Sequence, residues 1–248
     1  MHTFKLNLVN TYLLNDRTRH LEFKILNGIP LKFKPGQFIS LHIEKNLEVV
    51  RRNYSIANTP TPDHSNKIEI ALTFVPNGIA STILWNMQIG DHIKASGPFG
   101  IFVLKPEDLI TTKRYILVAT GTGVTPYRAM LNNLNQILEE QPDITVTLLL
   151  GVRDHSELLY GNEFINFANK QPKFKFIACY SRPKEPTNNI YEFQGYVQHK
   201  LTQLNIEPNK DLIYLCGNPN MVDEALATLE QLGVHKSKIR REKYISSK

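Results

Sequence analysis

The residues best suited to chemistry lie in Tyr115–Met130, YILVATGTGVTPYRAM. Glycines at 121 and 123 let the chain turn tightly and approach a ligand closely. Thr125-Pro126 reads as an N-cap followed by proline at the first helical position. A helix start behind a glycine turn offers free amides and the positive end of the dipole, a setting that favours phosphate. A lone Gly-x-Gly also suits an ordinary strand-to-helix turn, so other groups must decide. Arg51-Arg52-Asn53-Tyr54-Ser55 places a permanent cation, a phenol and a hydroxyl at strand spacing, Arg52 and Tyr54 on one face and Ser55 on the other. It reads equally as a half-exposed strand with Tyr54 packed and Arg52 solvated. Gly78-Ile79-Ala80-Ser81-Thr82 is a second helix start rich in small and hydroxyl residues, or simply a capped helix, and Gly97-Pro98-Phe99-Gly100 reads as a tight turn. Cys216-Gly217-Asn218-Pro219-Asn220-Met221 closes the apolar run Leu212–Leu215 and opens a helix at the carboxyl edge of a sheet, where ligands sit.

Two differently patterned halves must position these groups. From Phe4 to about Ser96 the segments are short, alternating and punctuated by turns, with strands expected at Phe4–Leu8, Leu21–Ile25, Phe38–Ile43, Asn53–Ala57, Ile68–Phe74 and His92–Ala95, and one helix at Ala80–Met87. Pro35-Gly36, Asn77-Gly78 and Gly97-Pro98 mark turns, and the whole suggests an antiparallel barrel. Beyond Lys113, strand-like runs at 115–120, 144–150, 174–180, 211–216 and 239–245 alternate with helical stretches at 126–140, 161–170, 195–204 and 219–232. Such alternation predicts a doubly wound parallel sheet. The fold class expected is therefore two-domain, β followed by α/β, with a barrel domain over 1–106, an α/β domain over 107–248 and a linker at Lys105–Thr112.

Composition narrows the function. Of 248 residues, 42% are hydrophobic and 21% charged, as in an ordinary soluble globular protein. No run approaches the length that spans a membrane, and the first residues, MHTFKLNLVNTYLL, lack the form of a signal peptide, so a cytoplasmic location without a membrane partner is expected. Two cysteines, Cys179 and Cys216, suit a reducing compartment and cannot build a four-cysteine cluster, so no metal is expected. The net charge of +6 permits anionic cofactors or an acidic protein partner. The basic residues are dispersed apart from Lys236, Lys238, Arg240, Arg241 and Lys243, which argues against nucleic acid.

Taken in order, Arg-x-Tyr-Ser, Gly-x-x-Ser, Gly-Pro-x-Gly, Ala-Thr-Gly-Thr-Gly-x-x-Pro and Cys-Gly-Asn-Pro-x-Met resemble the ferredoxin–NADP reductase family of flavoproteins, from Lys34-Pro35-Gly36-Gln37-Phe38 to Glu242-Lys243-Tyr244. The resemblance implies a flavin-binding barrel and a nicotinamide-dinucleotide domain. It implies that Arg52 binds the flavin pyrophosphate, that Tyr54 lies against the isoalloxazine ring, that Asn53 also takes part in cofactor binding, and that Ser55 hydrogen-bonds near N5. It further implies that Ala71, Leu72 and Thr73 line the flavin and that Ala80 and Ser81 meet its phosphates. Two phosphate-binding elements favour FAD over FMN. Gly121, Thr122 and Gly123 would receive the nicotinamide dinucleotide, Cys216 would stand beside the nicotinamide, and Gly217, Asn218 and Met221 would take part in cofactor binding. Glu242 would stand near the active centre and Tyr244 would cover the flavin. Ser55, Cys216 and Glu242 are the catalytic candidates. Cys179 reads as a small buried apolar residue.

The same resemblance places an adenosine 2′-phosphate among Arg153, Ser181, Arg182, Tyr196 and Gln198, which favours NADP(H) over NAD(H). Glu139 and Glu140, about twenty positions after the glycine loop, fall at a helix end and need not touch a ribose. The activity implied is an FAD-dependent NADPH reductase, a monomer that exchanges single electrons with ferredoxin or flavodoxin. Reductase components of oxygenases, with any iron–sulfur centre on another chain, and free-flavin reductases are alternatives. A subunit that binds FAD but no nicotinamide is a further one, disfavoured by the intact glycine loop.

Overall fold

The computed structural model describes residues 3–26, 30–45, 48–60, 66–184 and 189–244. Two compact units result, one formed by residues up to Val103 together with Thr125–Met130, the other by Leu104–Val124 and residues from Leu131 onward.

The first unit is built from six strands, β1 (Thr3–Asn15), β2 (Thr18–Ile25), β3 (Phe38–Lys45), β4 (Glu48–Ser55), β5 (Lys67–Thr73) and β6 (His92–Phe99), with one helix, α1 (Ile79–Trp85). They form an antiparallel sheet in the order β4-β3-β6-β1-β2-β5. The edge strands β4 and β5 meet, so the sheet curls into a barrel. Alternation drives this: Leu6 and Leu8, Leu21 and Phe23, and Ile39 and Leu41 all point inward and are fully buried.

The second unit alternates strand and helix: β7 (Arg114–Thr120), α2 (Thr125–Glu140, whose first residues belong to the barrel unit), β8 (Thr145–Val152), α3 (Gly161–Lys170), β9 (Phe174–Tyr180), β10 (Glu192–Gln194), α4 (Val197–Thr202), β11 (Asp211–Gly217), α5 (Pro219–Gln231) and β12 (Ile239–Lys243). Every pairing is parallel, in the order β10-β9-β8-β7-β11-β12. Tyr115–Ala119 is buried throughout, as expected for a central strand covered on both faces. The strand order reverses between β7 and β11, the switch point at whose carboxyl ends open parallel sheets bind ligands. Among the described residues no helix is long and apolar enough to cross a membrane.

The two-domain β and α/β architecture is as the sequence predicts, with local corrections. β1 extends to Asn15, and β4 begins at Glu48 and ends at Ser55, because edge and hairpin pairing continue through polar residues that break the alternation. Gly97-Pro98 is not a turn but lies within β6. There Gly97, at φ +152°, brings bare backbone against Ile39. Thr125 is not an N-cap: Gly121–Val124 already winds as a 3-10 turn, so the chain enters α2 with Val124 as cap and Thr125 inside the helix. β10 went unpredicted, since three residues carry no readable period.

Candidate functional site

In the barrel unit, β4 presents Val50, Arg52 and Tyr54 half-buried on one face, opposite the buried Ile43, Leu41 and Ile39 of β3. Tyr54 packs against the barrel core, and burial pushes its phenol up to about 12, opposed by the charge of Arg52. Arg52 donates to the carbonyl of Arg51 (2.9 Å), Asn53 is exposed, and Ser55 is buried. Ala71 and Leu72 are buried on β5, and Thr73 at its end shares a hydroxyl–hydroxyl hydrogen bond with Thr18 (3.2 Å). Ala80 and Ser81 are buried in the first turn of α1, whose leading amides have no acceptor within the helix. The Ser81 hydroxyl is held within its own loop, donating to the carbonyls of Val75 (2.9 Å) and Gly78 (3.0 Å). An anion at this turn would therefore meet amides rather than that hydroxyl.

The segment after Ser55 is pinned by residues that the motifs did not reveal. Ile56 donates to the carbonyl of Gln37 (3.0 Å) and Ala57 to that of Glu69 (2.7 Å), while the Ala57 carbonyl accepts from Arg128 (2.9 Å). Arg128 also pairs with the Glu69 carboxylate (2.7 Å), which takes Lys67 (2.8 Å) on its other oxygen. His20, fully buried and stacked on Tyr12, lies 3.3 Å from Glu69, and Lys67 bridges on to Glu22 (2.7 Å). Burial would raise Glu69, yet hydrogen bonds from His20, Lys67 and Arg128 outweigh it and hold the carboxyl well below the usual carboxylate range. His20, Glu22 and Glu69 have a metal-like arrangement, but Lys67 and Arg128 already neutralise the two carboxylates, so the group is an internal ion network. One signal was available: a glutamate inside Ile68–Leu72, where every neighbour is apolar, requires a buried cation.

In the α/β unit, the ends of β7, β11 and β12 converge. A side chain on Gly123 would stand 2.3 Å from the Cys216 carbonyl oxygen, and one on Gly217 (φ +130°) would stand 2.6 Å from the Thr120 hydroxyl. Gly121, at φ +51°, faces open space, with Thr122 half-buried beside it. The Asn218 amide donates to the Thr120 hydroxyl (3.0 Å), and the Asn218 side chain caps α5 by accepting from Asn220 (2.8 Å). Cys216 is completely buried between Ala119 and Glu242 in register. Burial pushes its thiol well up and the Glu242 carboxylate adds to this, against a hydrogen bond with Tyr244. Burial also raises Glu242 to about 7. The Tyr244 amide closes the corner on the Gly217 carbonyl (2.8 Å), and Met221 is buried in the first turn of α5. Cys216 therefore presents a small, protonated thiol and no nucleophile. Cys179 is buried too, with its thiol pushed up to about 12 by burial.

The coenzyme candidates after β8 and β9 are joined through the backbone. Ser181 donates to the Val152 carbonyl (3.0 Å) and Arg182 to that of Arg153 (2.7 Å), so the two arginines start from neighbouring strand ends. Tyr196, half-exposed, meets His199 edge-on at the start of α4. Gln198 is turned to Glu224 of α5.

The residues present fit anionic cofactors. The Thr125 hydroxyl, at the junction of the glycine turn and α2, is buried and has no hydrogen-bond partner among the described residues, a place where a ligand oxygen would satisfy it. The open side of Gly121 and the leading amides of α1 are likewise available.

Comparison with known proteins agrees. A family model described as an oxidoreductase FAD-binding domain matches residues 5–104, and one described as an oxidoreductase NAD-binding domain matches 117–226. The chain is 31% identical over 213 residues to a flavodoxin/ferredoxin–NADP reductase of Buchnera aphidicola, covering 82% of this chain and 81% of that protein. It is 30% identical over 217 residues to the reductase component of propane 2-monooxygenase from Mycolicibacterium goodii, covering 86% of this chain but only 60% of that protein. A crystal structure of an Amycolatopsis cytochrome P450 reductase superposes with a TM-score of 0.84 at 25% identity, covering 99% of this chain and 71% of that one. With FAD-binding and NAD-binding domain models matched over a barrel and a parallel sheet, and a relative matched over most of both lengths, the chain belongs to the ferredoxin–NADP reductase family of flavoprotein oxidoreductases.

Proposed function

We propose that this protein is an FAD-dependent reductase that uses NADPH and exchanges electrons one at a time with a ferredoxin or flavodoxin. Residues 1–106 would hold FAD and residues 107–248 the nicotinamide dinucleotide. When bound, FAD supplies a centre that takes two electrons as hydride and releases them singly. Arg52 would bind the FAD pyrophosphate through its fork of donors, with the α1 amides at Ala80 and Ser81 beside it. Tyr54, Asn53, Ala71, Leu72 and Thr73 would shape the surface for the ring, and the Ser55 hydroxyl would bond near its N5. Gly121, Thr122 and Gly123 would admit the dinucleotide. Gly217, Asn218 and Met221, with the neutral thiol of Cys216, would border the nicotinamide. Glu242, near neutrality in its titration, would hold a proton close to that ring, and Tyr244 would cover the flavin. The chain's contribution is orientation of the two rings and exclusion of water, which accounts for a large share of the rate in such reactions.

The observation that carries the NADPH reading is the Arg182–Arg153 backbone hydrogen bond, which sets two arginines and the Ser181 hydroxyl at adjoining strand ends, where a 2′-phosphate needs cations. Steady-state reduction of ferredoxin, flavodoxin and free flavin with NADPH and NADH in turn tests the proposal. Equal or greater efficiency with NADH, or free flavin outpacing both carriers, would overturn it. Service as the electron-transfer component of an oxygenase is the second reading, supported by the 30% identity to propane 2-monooxygenase reductase components. The chain spans 60 and 63% of the length of those two relatives.

A further inference from the structure

The loop after β8 carries an internal competitor for the site just described. Glu157 takes Arg153 by both ends: one carboxylate oxygen pairs with the guanidinium, and the other accepts from the Arg153 backbone amide (3.3 Å). Among the described residues this carboxylate has no other partner. The neighbouring acid differs. Asp154 spends one oxygen capping Ser156 (2.9 Å to its amide) and faces Lys184 (3.3 Å) with the other, so its role in shaping the loop is complete. Arg182, exposed, has no ion pair among the described residues. Of the two arginines, then, one is open and one is already occupied by a carboxylate from its own loop.

A carboxylate oxygen on the Arg153 guanidinium occupies a charged donor that a phosphate oxygen would otherwise accept from. Resting on the NADPH reading above, we propose that Glu157 is a specificity-determining residue that occupies Arg153 in the free protein and must be displaced by the 2′-phosphate. It thereby weakens the discrimination between the two coenzymes and eases release of the phosphorylated one. Exposed i,i+4 pairs are weak, so displacement is feasible, and the same carboxylate, left near the incoming dianion, adds repulsion. Together these effects are worth roughly threefold to tenfold in affinity.

Isothermal titration of the purified full chain with adenosine 2′,5′-bisphosphate and with AMP isolates the 2′-phosphate. Glu157→Gln, which keeps the shape and removes the charge, should tighten bisphosphate binding roughly threefold to tenfold and leave AMP binding unchanged. In an Arg153→Ala background the same change should gain less than about twofold. A wild-type protein that prefers the bisphosphate, but whose affinity Glu157→Gln does not raise, overturns this inference and leaves the NADPH reading standing. So does a gain that appears equally with AMP, or one retained in full without Arg153. A wild-type protein that binds both nucleotides alike overturns the NADPH reading and this inference with it.

Discussion

Replacing Glu242 by Gln should remove a pH-dependent cost from the α/β unit. Burial raises the Glu242 carboxyl from 4.5 to about 7, beside the fully buried Cys216 to which it is registered. Between those two values the folded chain binds a proton that the unfolded chain has released, so stability falls as pH rises through the window and is flat outside it. A shift from 4.5 to about 7, at about 1.36 kcal/mol per pKa unit, is worth about 3 kcal/mol, and partial exposure of the side chain reduces it to about 2. Gln has nearly the volume of the protonated acid and no charge to desolvate. The variant should therefore match wild type at about pH 5 and exceed it by about 2 kcal/mol at about pH 8.5. Cys216 does not confuse the comparison, because its own titration lies well above that range. Calorimetric unfolding of both proteins at the two pH values gives the difference, and a carboxyl-carbon NMR titration gives the Glu242 pKa directly. A stability difference that is the same at both pH values, or a Glu242 that titrates near 4.5, would refute the reasoning.

Glu69 should show the opposite sign: its carboxyl is depressed in the fold, so the stability it contributes is complete above 4.5 and is lost as pH falls further. Glu69→Gln leaves Lys67 and Arg128 short of a counter-charge and should cost about 3–5 kcal/mol at neutral pH, measured by urea unfolding, with a shallower acid limb than wild type. Arg52→Ala should reduce FAD retention by about 1.5–3 kcal/mol, read by equilibrium dialysis, and the released flavin should chromatograph as FAD rather than FMN. Gly123→Ala drives a methyl group to within 2.3 Å of the Cys216 carbonyl oxygen. Because both walls are backbone it should lower the melting temperature and abolish binding of AMP, whereas Gly121→Ala, with open space around it, should be limited to the strain of its φ of +51°.

Much of the architecture was legible because it follows from periodicity. The inward alternation of Leu6 and Leu8, or of Ile39 and Leu41, can be satisfied only by a one-sided sheet, and the unbroken run Tyr115–Ala119 only by a strand covered on both faces. What escaped was the part held by partners distant in sequence. Arg128 is one arginine among several until Glu69, 59 positions away, is seen to need it, and Lys67 and His20 enter the same network from two different strands. The Thr125 hydroxyl illustrates the opposite failure. Its sequence neighbours, Val124 before it and Pro126 after it, make an N-cap the natural reading, but the two glycines let the preceding turn wind as 3-10 helix and carry Thr125 one position inward. That shift leaves its hydroxyl buried and without a hydrogen-bond partner among the described residues, directly after the glycine turn. As an N-cap the Thr125 oxygen would accept from a helix amide and keep mainly its hydroxyl hydrogen for a ligand, whereas inside the helix both its donor and its acceptor remain available. The departure from the local rule therefore falls where the fold expects a dinucleotide, at the switch between β7 and β11.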